Sequence, residues 1–185
     1  VAGEGQYCSA VRKTSDVEFR DIRQRQSKSS RNAKELPLPK EAASLVDRAV
    51  TLRMRGETVT AVPEVIAADV AAVEQNLHVV AAGCALGTVK GKTLIPDADL
   101  ALSLMFAENA FPSVDVDRET ALKFLHRDTV VFPQAPLGYL TIRYMGLPLG
   151  FVKNLGNRAN NLYPNEWRIR SPHLPDTDPS VLLGR

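Results

Sequence analysis

The chain is poor in cysteine and in long apolar runs, and each scarcity argues against a class of protein. Its two cysteines, Cys8 and Cys84, cannot form the disulfide framework of a small secreted domain, which favours a reducing, cytoplasmic location. The longest apolar run, Val79–Leu86, is far shorter than the roughly 20 residues that cross a bilayer. The first residues also lack the basic and apolar segments of a signal peptide. We therefore expect a cytoplasmic protein without membrane contact.

Groups that could carry out catalysis are equally scarce. Cys8 falls in a predicted strand and Cys84 is flanked by Gly83 and Ala85, so both are expected to be small buried side chains. Gly3-Glu4-Gly5 lacks the third glycine and the following helix of a phosphate-binding loop. The three histidines are scattered without metal-ligand spacing: His78, His126 and His173. Because no nucleophile is paired with a base, we predict that the chain is not an enzyme and holds no metal or cofactor.

Charge is distributed unevenly along the chain, although the net charge is only +2. From residue 12 to 40, nine Lys/Arg face four Asp/Glu, a net of +5. From residue 41 to 135 there are eight Lys/Arg and thirteen Asp/Glu, a net charge of −5. From residue 136 to 175 there are five Lys/Arg and one Asp/Glu, a net charge of +4. Basic segments therefore flank an acidic middle, which allows one local face to bind a polyanion.

Both ends of the chain are predicted to lie outside its folded part. Gln6–Arg12 alternates as a strand without partners, which suggests a piece cut from a longer protein. Thr14–Lys34 is crowded with Arg, Lys, Gln and Ser and is interpreted as a linker, although Arg20–Arg31 could instead form a solvated helix. The residues after Ser171 carry three prolines and little apolar content, which predicts an extended tail.

Residues 39–108 alternate between helical and strand patterns, which predicts a small α+β unit. One helix is expected over Lys40–Arg53 and a second one after Pro63, with an apolar face of Ile66, Val70 and Val73. Gly56 separates the first helix from the strands, which are predicted at Thr58–Val62, Leu77–Ala82, Ala85–Val89 and Thr93–Ile95. Asp97 is placed to cap a third helix that carries Leu100, Leu104 and Met105.

A second unit, over residues 109–171, has one helical segment followed by short strands. Asp115 or Asp117 can cap the helix, which is predicted to end near Asp128. Met145-Gly146 provides a tight turn between two strands. The predicted strands are Thr129–Phe132, Tyr139–Tyr144, Leu147–Lys153 and Trp167–Arg170. Short strands with few helices indicate a small, partly open barrel.

The segment 138–170 combines cations, flat rings and side-chain amides, the groups that bind RNA. Cations neutralise phosphates, and aromatic rings stack on unpaired bases. Exposed cations can equally form an ordinary solvated face, Tyr163 or Trp167 can close a core, and Asn can simply make turns. The cations are Arg143, Lys153, Arg158, Arg168 and Arg170, the rings Tyr139, Tyr144, Tyr163 and Trp167, and the amides Asn154, Asn157, Asn160 and Asn161.

Met145–Arg170 resembles the C-terminal PUA-like domain of Sun-type, RsmF-like rRNA 5-methylcytosine methyltransferases. Its first part matches the family's "dG-x-P-L-G-x-x-K" strand pair at Gly146, Pro148, Leu149, Gly150 and Lys153. Its second part matches "K-N-x-Y-P-x-x-x-R" at Asn161, Tyr163, Pro164 and Arg168. The family's Lys before the matched Asn is Asn160 here, and its Lys-Gly after the Pro is Asn165-Glu166, so two cations are lost and the expected binding shifts toward aromatic and amide groups.

Two further segments resemble the family in the same order along the chain. Gly83–Lys90, followed by Ile95-Pro96 and Leu100–Leu102, is similar to its "G-x-x-L-G-x-x-K … P-x-x-x-L-A-L" segment. Gly3–Tyr7 with Arg12-Lys13 is similar to the last strand of its catalytic domain. The family's two catalytic cysteines, in Pro-Cys and Thr-Cys settings, have no counterpart in this chain.

The resemblance implies an α+β fold of two small subdomains, of which the C-terminal one is a PUA-like mixed β-barrel. It divides the chain into a remnant strand of the catalytic domain (1–13), a basic linker (14–38), a first α+β subdomain (39–108), the PUA-like RNA-binding domain (109–171) and an extended tail (172–185). The implied RNA-binding residues are Arg143, Lys153, Asn154, Asn157, Arg158, Asn160, Asn161, Tyr163, Trp167, Arg168 and Arg170, with Lys90 and Lys92 as outlying contacts.

As a function, the resemblance implies a non-catalytic portion that positions small-subunit rRNA for a parent enzyme using S-adenosylmethionine. Its expected partners are rRNA and the upstream methyltransferase domain of the same chain. The alternative is a module that docks on that domain, or on another protein, without touching RNA. The acidic middle from residue 41 to 135 favours docking, because like charge repels phosphate.

Overall fold

The structure is a computed structural model of the chain, and it describes residues 37–171. The predicted strand Gln6–Arg12, the linker Thr14–Lys34 with its alternative helix, and the tail after Ser171 lie outside the described residues. Within 37–171 the chain forms two four-stranded sheets with three α-helices, which confirms a mixed α and β protein. A closed barrel is not formed by these strands.

The first sheet is an antiparallel meander in the order β1-β2-β3-β4. A short 3₁₀ helix, Lys40–Leu45, precedes it. The strands are β1 (Val50–Arg55), β2 (Thr58–Pro63), β3 (Cys84–Lys90) and β4 (Thr93–Pro96). Helix α1 (Glu64–Asn76) connects β2 to β3, and helix α2 (Ala98–Leu102) follows β4.

The second sheet has the order β5-β6-β7-β8, with β5 parallel to β6 and the remaining pairs antiparallel. Its strands are β5 (Ser113–Asp115), β6 (Gly138–Tyr144), β7 (Leu147–Asn154) and β8 (Ala159–Asn161). Helix α3 (Arg118–His126) lies between β5 and β6, and a 3₁₀ turn, Asn165–Trp167, follows β8. The predicted tight turn at Met145-Gly146 connects β6 to β7, and both residues have positive φ in it.

Apolar side chains pack on both faces of the second sheet. Leu140, Ile142 and Val152 form one core with Phe124 of α3. On the other face, Phe151 of β7 enters the core of the first sheet and meets Phe106 at 5.5 Å between ring centroids. Because residues alternate across a strand, β7 contributes to both cores and joins the two sheets.

The predicted helix Lys40–Arg53 is wrong beyond its first turns, since Val50–Arg55 forms β1. Leu45, Ala49 and Leu52 have helical spacing, but the β-branched Val50 and Thr51 favour a strand. Gly56, at φ +62°, makes the turn that pairs this strand with β2. The hairpin formed at Gly56 therefore overrides the helical spacing.

Helix α1 begins after Pro63 as predicted, but none of its residues is buried, and of the expected apolar face only Val70 is half-buried. Ile66 and Val73 are 45% and 46% exposed. The predicted strand Leu77–Ala82 is also wrong, because this segment runs without strand structure between α1 and β3. The Arg55 guanidinium donates to the carbonyl oxygens of Val79 and Val80, at 2.8 and 3.3 Å, so these acceptors are used without a strand partner.

The other expected elements are partly confirmed. Asp97 caps α2 by accepting from the Asp99 backbone N–H at 3.0 Å, yet α2 ends before Leu104, which is 86% exposed. Asp117, not Asp115, caps α3 through the Thr120 N–H at 2.8 Å. Two predicted strands, Thr129–Phe132 and Trp167–Arg170, are not strands, while β5 and β8 were not predicted.

Candidate nucleic-acid interface

Three strands of the second sheet place an aromatic, a cationic and an amide side chain in one row. Tyr139 of β6 is directly opposite Lys153 of β7, which is directly opposite Asn160 of β8. Directly opposite residues project on the same face of a sheet. The Lys153 ammonium nitrogen lies 5.6 Å from the centroid of the Tyr139 ring, in cation–π geometry. The row offers phosphate and base contacts side by side.

Tyr139 remains a protonated hydrogen-bond donor in this row. Partial burial raises the pKa of its hydroxyl above the ordinary value, because the phenolate form loses solvation. The Phe111 ring packs edge-on against it, with 6.1 Å between centroids. Its ring therefore has a fixed position beside Lys153.

Asn154 shapes the end of the row from inside the protein. Its side chain is 1% exposed, and its amide nitrogen donates to the carbonyl oxygens of Phe132, Ala135 and Pro136 at 3.0–3.1 Å. Its amide oxygen accepts from the Gly156 N–H at 3.1 Å. Every one of these bonds is internal, so Asn154 fixes the turn after β7 and does not face solvent.

The turn between β7 and β8 presents two polar side chains outward. The Leu155 N–H donates to the Arg158 carbonyl oxygen at 2.9 Å, which closes the turn. Asn157 and Arg158 are exposed on it, next to Lys153 and Asn160 along the chain. The turn therefore extends the polar row past the end of the sheet.

The segment after β8 is fastened to α3. The Asn161 amide nitrogen donates to the Phe124 carbonyl oxygen at 2.8 Å, and its amide oxygen accepts from the Tyr163 N–H at 2.8 Å. The Arg127 guanidinium donates to the carbonyl oxygen of Tyr163. Further on, the Ile169 N–H donates to the Leu125 carbonyl oxygen at 3.1 Å. Asn161, like Asn154, acts within the fold.

Three aromatic rings follow one another from the core to the surface of this segment. Tyr163 packs on the fully buried Phe124 at 5.4 Å between centroids. Trp167 meets Tyr163 at 6.1 Å and an interplanar angle of 73°. Trp167 is 46% exposed, and the exposed Arg168 and Arg170 follow it.

Most of the residues predicted to bind RNA are exposed, but they lie on two sides of the second sheet. Lys153 and Asn160 share the face of Phe151, whereas Trp167 packs on Tyr163, which lies on the face of Phe124. The exposed residues along β7, β8 and the segment after β8 are Lys153, Asn157, Arg158, Asn160, Trp167, Arg168 and Arg170. Asn154, Asn161 and the half-buried Tyr163 form the support beneath them. Arg143 is held near Asp115, with 3.5 Å between Nε and the carboxylate oxygen, and Lys90 and Lys92 lie at the β3–β4 turn of the other sheet.

Sequence reasoning missed Arg127 and did not single out Tyr139 as a site residue. Arg127 terminates α3 with a left-handed backbone, at φ +64°, which directs its side chain to a segment 36 residues away. No local pattern reveals that contact. Tyr139 was recognisable only as one of several rings, since its pairing with Lys153 depends on the strand register.

Cys84 lies where the reactive form of its thiol is disfavoured. Burial raises the pKa of the Cys84 thiol and outweighs the lowering effect of a hydrogen bond with Ser103, so the reactive thiolate is disfavoured. Between residues 37 and 171, no three His, Cys, Asp or Glu side chains are grouped to hold a metal ion. The same range contains no helix that is both long and apolar enough to span a bilayer.

A cleft of about 490 Å³ lies between β1, α1 and the segment that precedes β3, and its charged groups are already engaged. Arg53 pairs with Glu74 at 2.8 Å and also donates to the Ala67 carbonyl oxygen. Arg55 binds the carbonyl oxygens of Val79 and Val80. Both arginines of the cleft are therefore bound within the protein.

Comparison with known proteins gives one family match, and it covers the part of the chain that contains the second sheet. No curated protein matches the chain significantly. A family profile does match residues 111–169, about a third of the chain, and it describes the PUA domain of the methyltransferase RsmF. The match covers the strands, the turn and the aromatic segment described above. Residues 111–169 are therefore similar to the non-catalytic PUA domain of an RsmF-like methyltransferase.

Proposed function

We propose that this chain is the RNA-binding, substrate-positioning C-terminal portion of a Sun-type, RsmF-like rRNA 5-methylcytosine methyltransferase. The observation that carries the proposal is the profile match over residues 111–169, which contains the exposed cations and rings of the second sheet. The parent enzyme would act on small-subunit rRNA in the cytoplasm. S-adenosylmethionine, bound to the catalytic domain of that enzyme, would supply the transferred methyl group.

The charges of the interface are available for phosphate. Lys153, Arg158, Arg168 and Arg170 are exposed, and none of them forms an ion pair with another residue of the described range. Only Glu166 opposes them between residues 136 and 171. Cations without an ion-pair partner are available to phosphate, and their binding releases counterions condensed on the RNA.

Each range of residues predicted from the sequence is proposed to have its own role. Residues 109–171 would hold RNA, and residues 39–108 would support them through the packing of α2 on β7. Residues 1–13 would complete the catalytic domain, and residues 14–38 would link it to this portion. Lys90 and Lys92 stay in the proposal as outlying phosphate contacts at the β3–β4 turn.

Removing two cations of the row tests the assignment directly. We expect the double substitution Lys153→Ala/Arg158→Ala to weaken binding of a fluorescently labelled small-subunit rRNA fragment, measured by anisotropy. Losing two phosphate contacts on a single-stranded site corresponds to roughly a 25-fold loss at about 0.1 M salt. The matched control, Arg48→Ala/Lys123→Ala, removes the same charge elsewhere and should bind as the unmodified chain does. Unchanged affinity in the first variant would contradict the assigned face.

One observation favours a second candidate function, docking on the upstream methyltransferase domain without RNA contact. Helix α1 has no buried residue, and Val65, Ile66 and Val73 are 90%, 45% and 46% exposed. The helix carries three acidic residues and no Lys or Arg, so it repels phosphate and offers apolar area to a protein.

Footprinting separates the two candidates. A docking module leaves the rRNA unprotected when the isolated chain is added, whereas an RNA-binding portion protects a defined stretch. In the parent enzyme, docking should slow hydrogen exchange of α1 relative to the isolated chain. Protection of RNA together with unchanged exchange in α1 would leave only the first candidate.

A further inference from the structure

Trp167 has a position that the packing of the protein does not explain. It is the only tryptophan of the chain, and it is 46% exposed although tryptophan is usually well buried. It stands at the outer end of the ring series that begins with the buried Phe124. The residues that follow it, Arg168 and Arg170, are exposed cations.

The ring is nevertheless held in place. The Trp167 backbone N–H donates to the Pro164 carbonyl oxygen at 3.2 Å. Two residues later, the Ile169 backbone N–H donates to the carbonyl oxygen of Leu125 in α3. On the other side, Arg127 and Asn161 fix Tyr163, against which Trp167 packs. Since the backbone is tied on both sides, little entropy is lost when a ligand meets the ring.

The contact with Tyr163 leaves room on the indole. Two rings at an interplanar angle of 73° meet edge to face, so Tyr163 covers at most one of the two indole faces. An exposed flat ring beside cations is the arrangement that binds unpaired bases, where the ring stacks and the cations reach the adjoining phosphates. The two exposed cations that follow the ring favour a polyanion such as RNA as the partner.

We propose that Trp167 is a stacking platform for one unpaired base and that the RNA held by this interface is single-stranded or looped at that point. Bases inside a continuous duplex are stacked on each other and do not reach such a ring. The inference rests on the proposed RNA-binding function and goes further, because it names the form of RNA and the residue that selects it.

The single tryptophan makes the test local. The full chain is titrated with a short single-stranded RNA and with the same strand in a blunt duplex, while tryptophan emission and the anisotropy of the labelled RNA are followed together. We expect the single strand to quench emission with the same midpoint as the anisotropy change. The duplex should bind more weakly and leave emission nearly unchanged.

Substitutions separate stacking from folding. A stacked base contributes about 1–3 kcal/mol, so Trp167→Leu should weaken single-strand binding by roughly 5- to 150-fold. Trp167→Tyr keeps a flat ring and should retain most of the affinity. Thermal unfolding of each variant shows whether the protein remains folded, and quenching of the unmodified chain needs no variant at all.

The outcomes distinguish this inference from the function on which it rests. RNA binding without quenching, or equal quenching by the duplex, would overturn the stacking role and leave RNA binding intact. Wild-type affinity in a folded Trp167→Leu variant would do the same. If neither RNA changes the anisotropy, the proposed function itself fails.

Discussion

Asn154 ends β7 with a buried amide that fastens the loop before β6, and its removal should weaken the fold. In Asn154→Ala the carbonyl oxygens of Ala135 and Pro136 lose their side-chain donor, while Phe132 keeps its bond from the Ala135 N–H. An unsatisfied buried polar group costs about 1–3 kcal/mol, so we expect the free energy of unfolding to fall by about 2–4 kcal/mol. Urea denaturation of the full chain measures this loss.

Asn157→Ala is the matched control for that substitution. Asn157 lies three residues further along, is exposed, and makes none of these internal bonds. Substitutions at such surface positions change stability by about 0.5 kcal/mol or less. Equal losses for the two variants would show that Asn154 does not have the structural role that its geometry indicates.

The asparagines also mark how far the sequence predicts this site. The sequence supports two roles for all four of them, contact with RNA and turn-making. Residue type cannot choose between these roles, because the choice depends on which side chains point inward. Strand register turns Lys153 and Asn160 outward, while Asn154 and Asn161 bind backbone carbonyls of distant segments.

At the scale of elements, the packing of α3 on β7 depends on a residue without a side chain. A Cβ at Gly150 would lie 2.9 Å from the ring of Phe124, a distance that such contacts essentially never show. We expect Gly150→Ala to destabilise the protein by about 1–3 kcal/mol, through overpacking and through the backbone φ of +154°, which residues with a Cβ rarely adopt. Thermal or urea unfolding checks the size of the effect.

A second substitution identifies the cause of that effect. Phe124→Leu removes the ring that would clash, so Gly150→Ala should cost less in its presence than in the unmodified chain. A coupling of about 1 kcal/mol in the rescuing direction is expected for residues in direct contact. If the two losses simply add, crowding by Phe124 is not the reason for the glycine.

Elements with strong local signals were predicted well, and elements created by distant pairing were not. The pair β6–β7 combines alternating side chains with a Met145-Gly146 turn, and both features are local. Strand β5 has three residues and pairs in parallel with β6, more than twenty residues away, so it carries almost no local pattern. Strand β1 is an exception: it pairs with the adjacent β2 across a two-residue turn, and it was mistaken for a helix because the spacing of Leu45, Ala49 and Leu52 is also helical.

At the scale of the whole molecule, charge and packing divide between the two sheets. Phe151 of β7 inserts into the core of the first sheet, so the strands of the proposed interface are packed against that sheet. The acidic residues are concentrated before residue 136, and the exposed cations of the proposed interface come after it. Binding to RNA should therefore depend on a small group of cations and hardly on the net charge of +2.

Salt dependence tests this division. If Lys153, Arg158, Arg168 and Arg170 each meet one phosphate of a single strand, the logarithm of the association constant should fall with that of salt concentration at a slope of about −3. Lys153→Ala/Arg158→Ala should reduce the slope by about 1.4, since two counterions fewer are released. Arg48→Ala/Lys123→Ala changes the net charge equally but should leave the slope as it was. Equal changes in both variants, measured by anisotropy over a salt series, would mean that overall charge, and not this row, attracts the RNA.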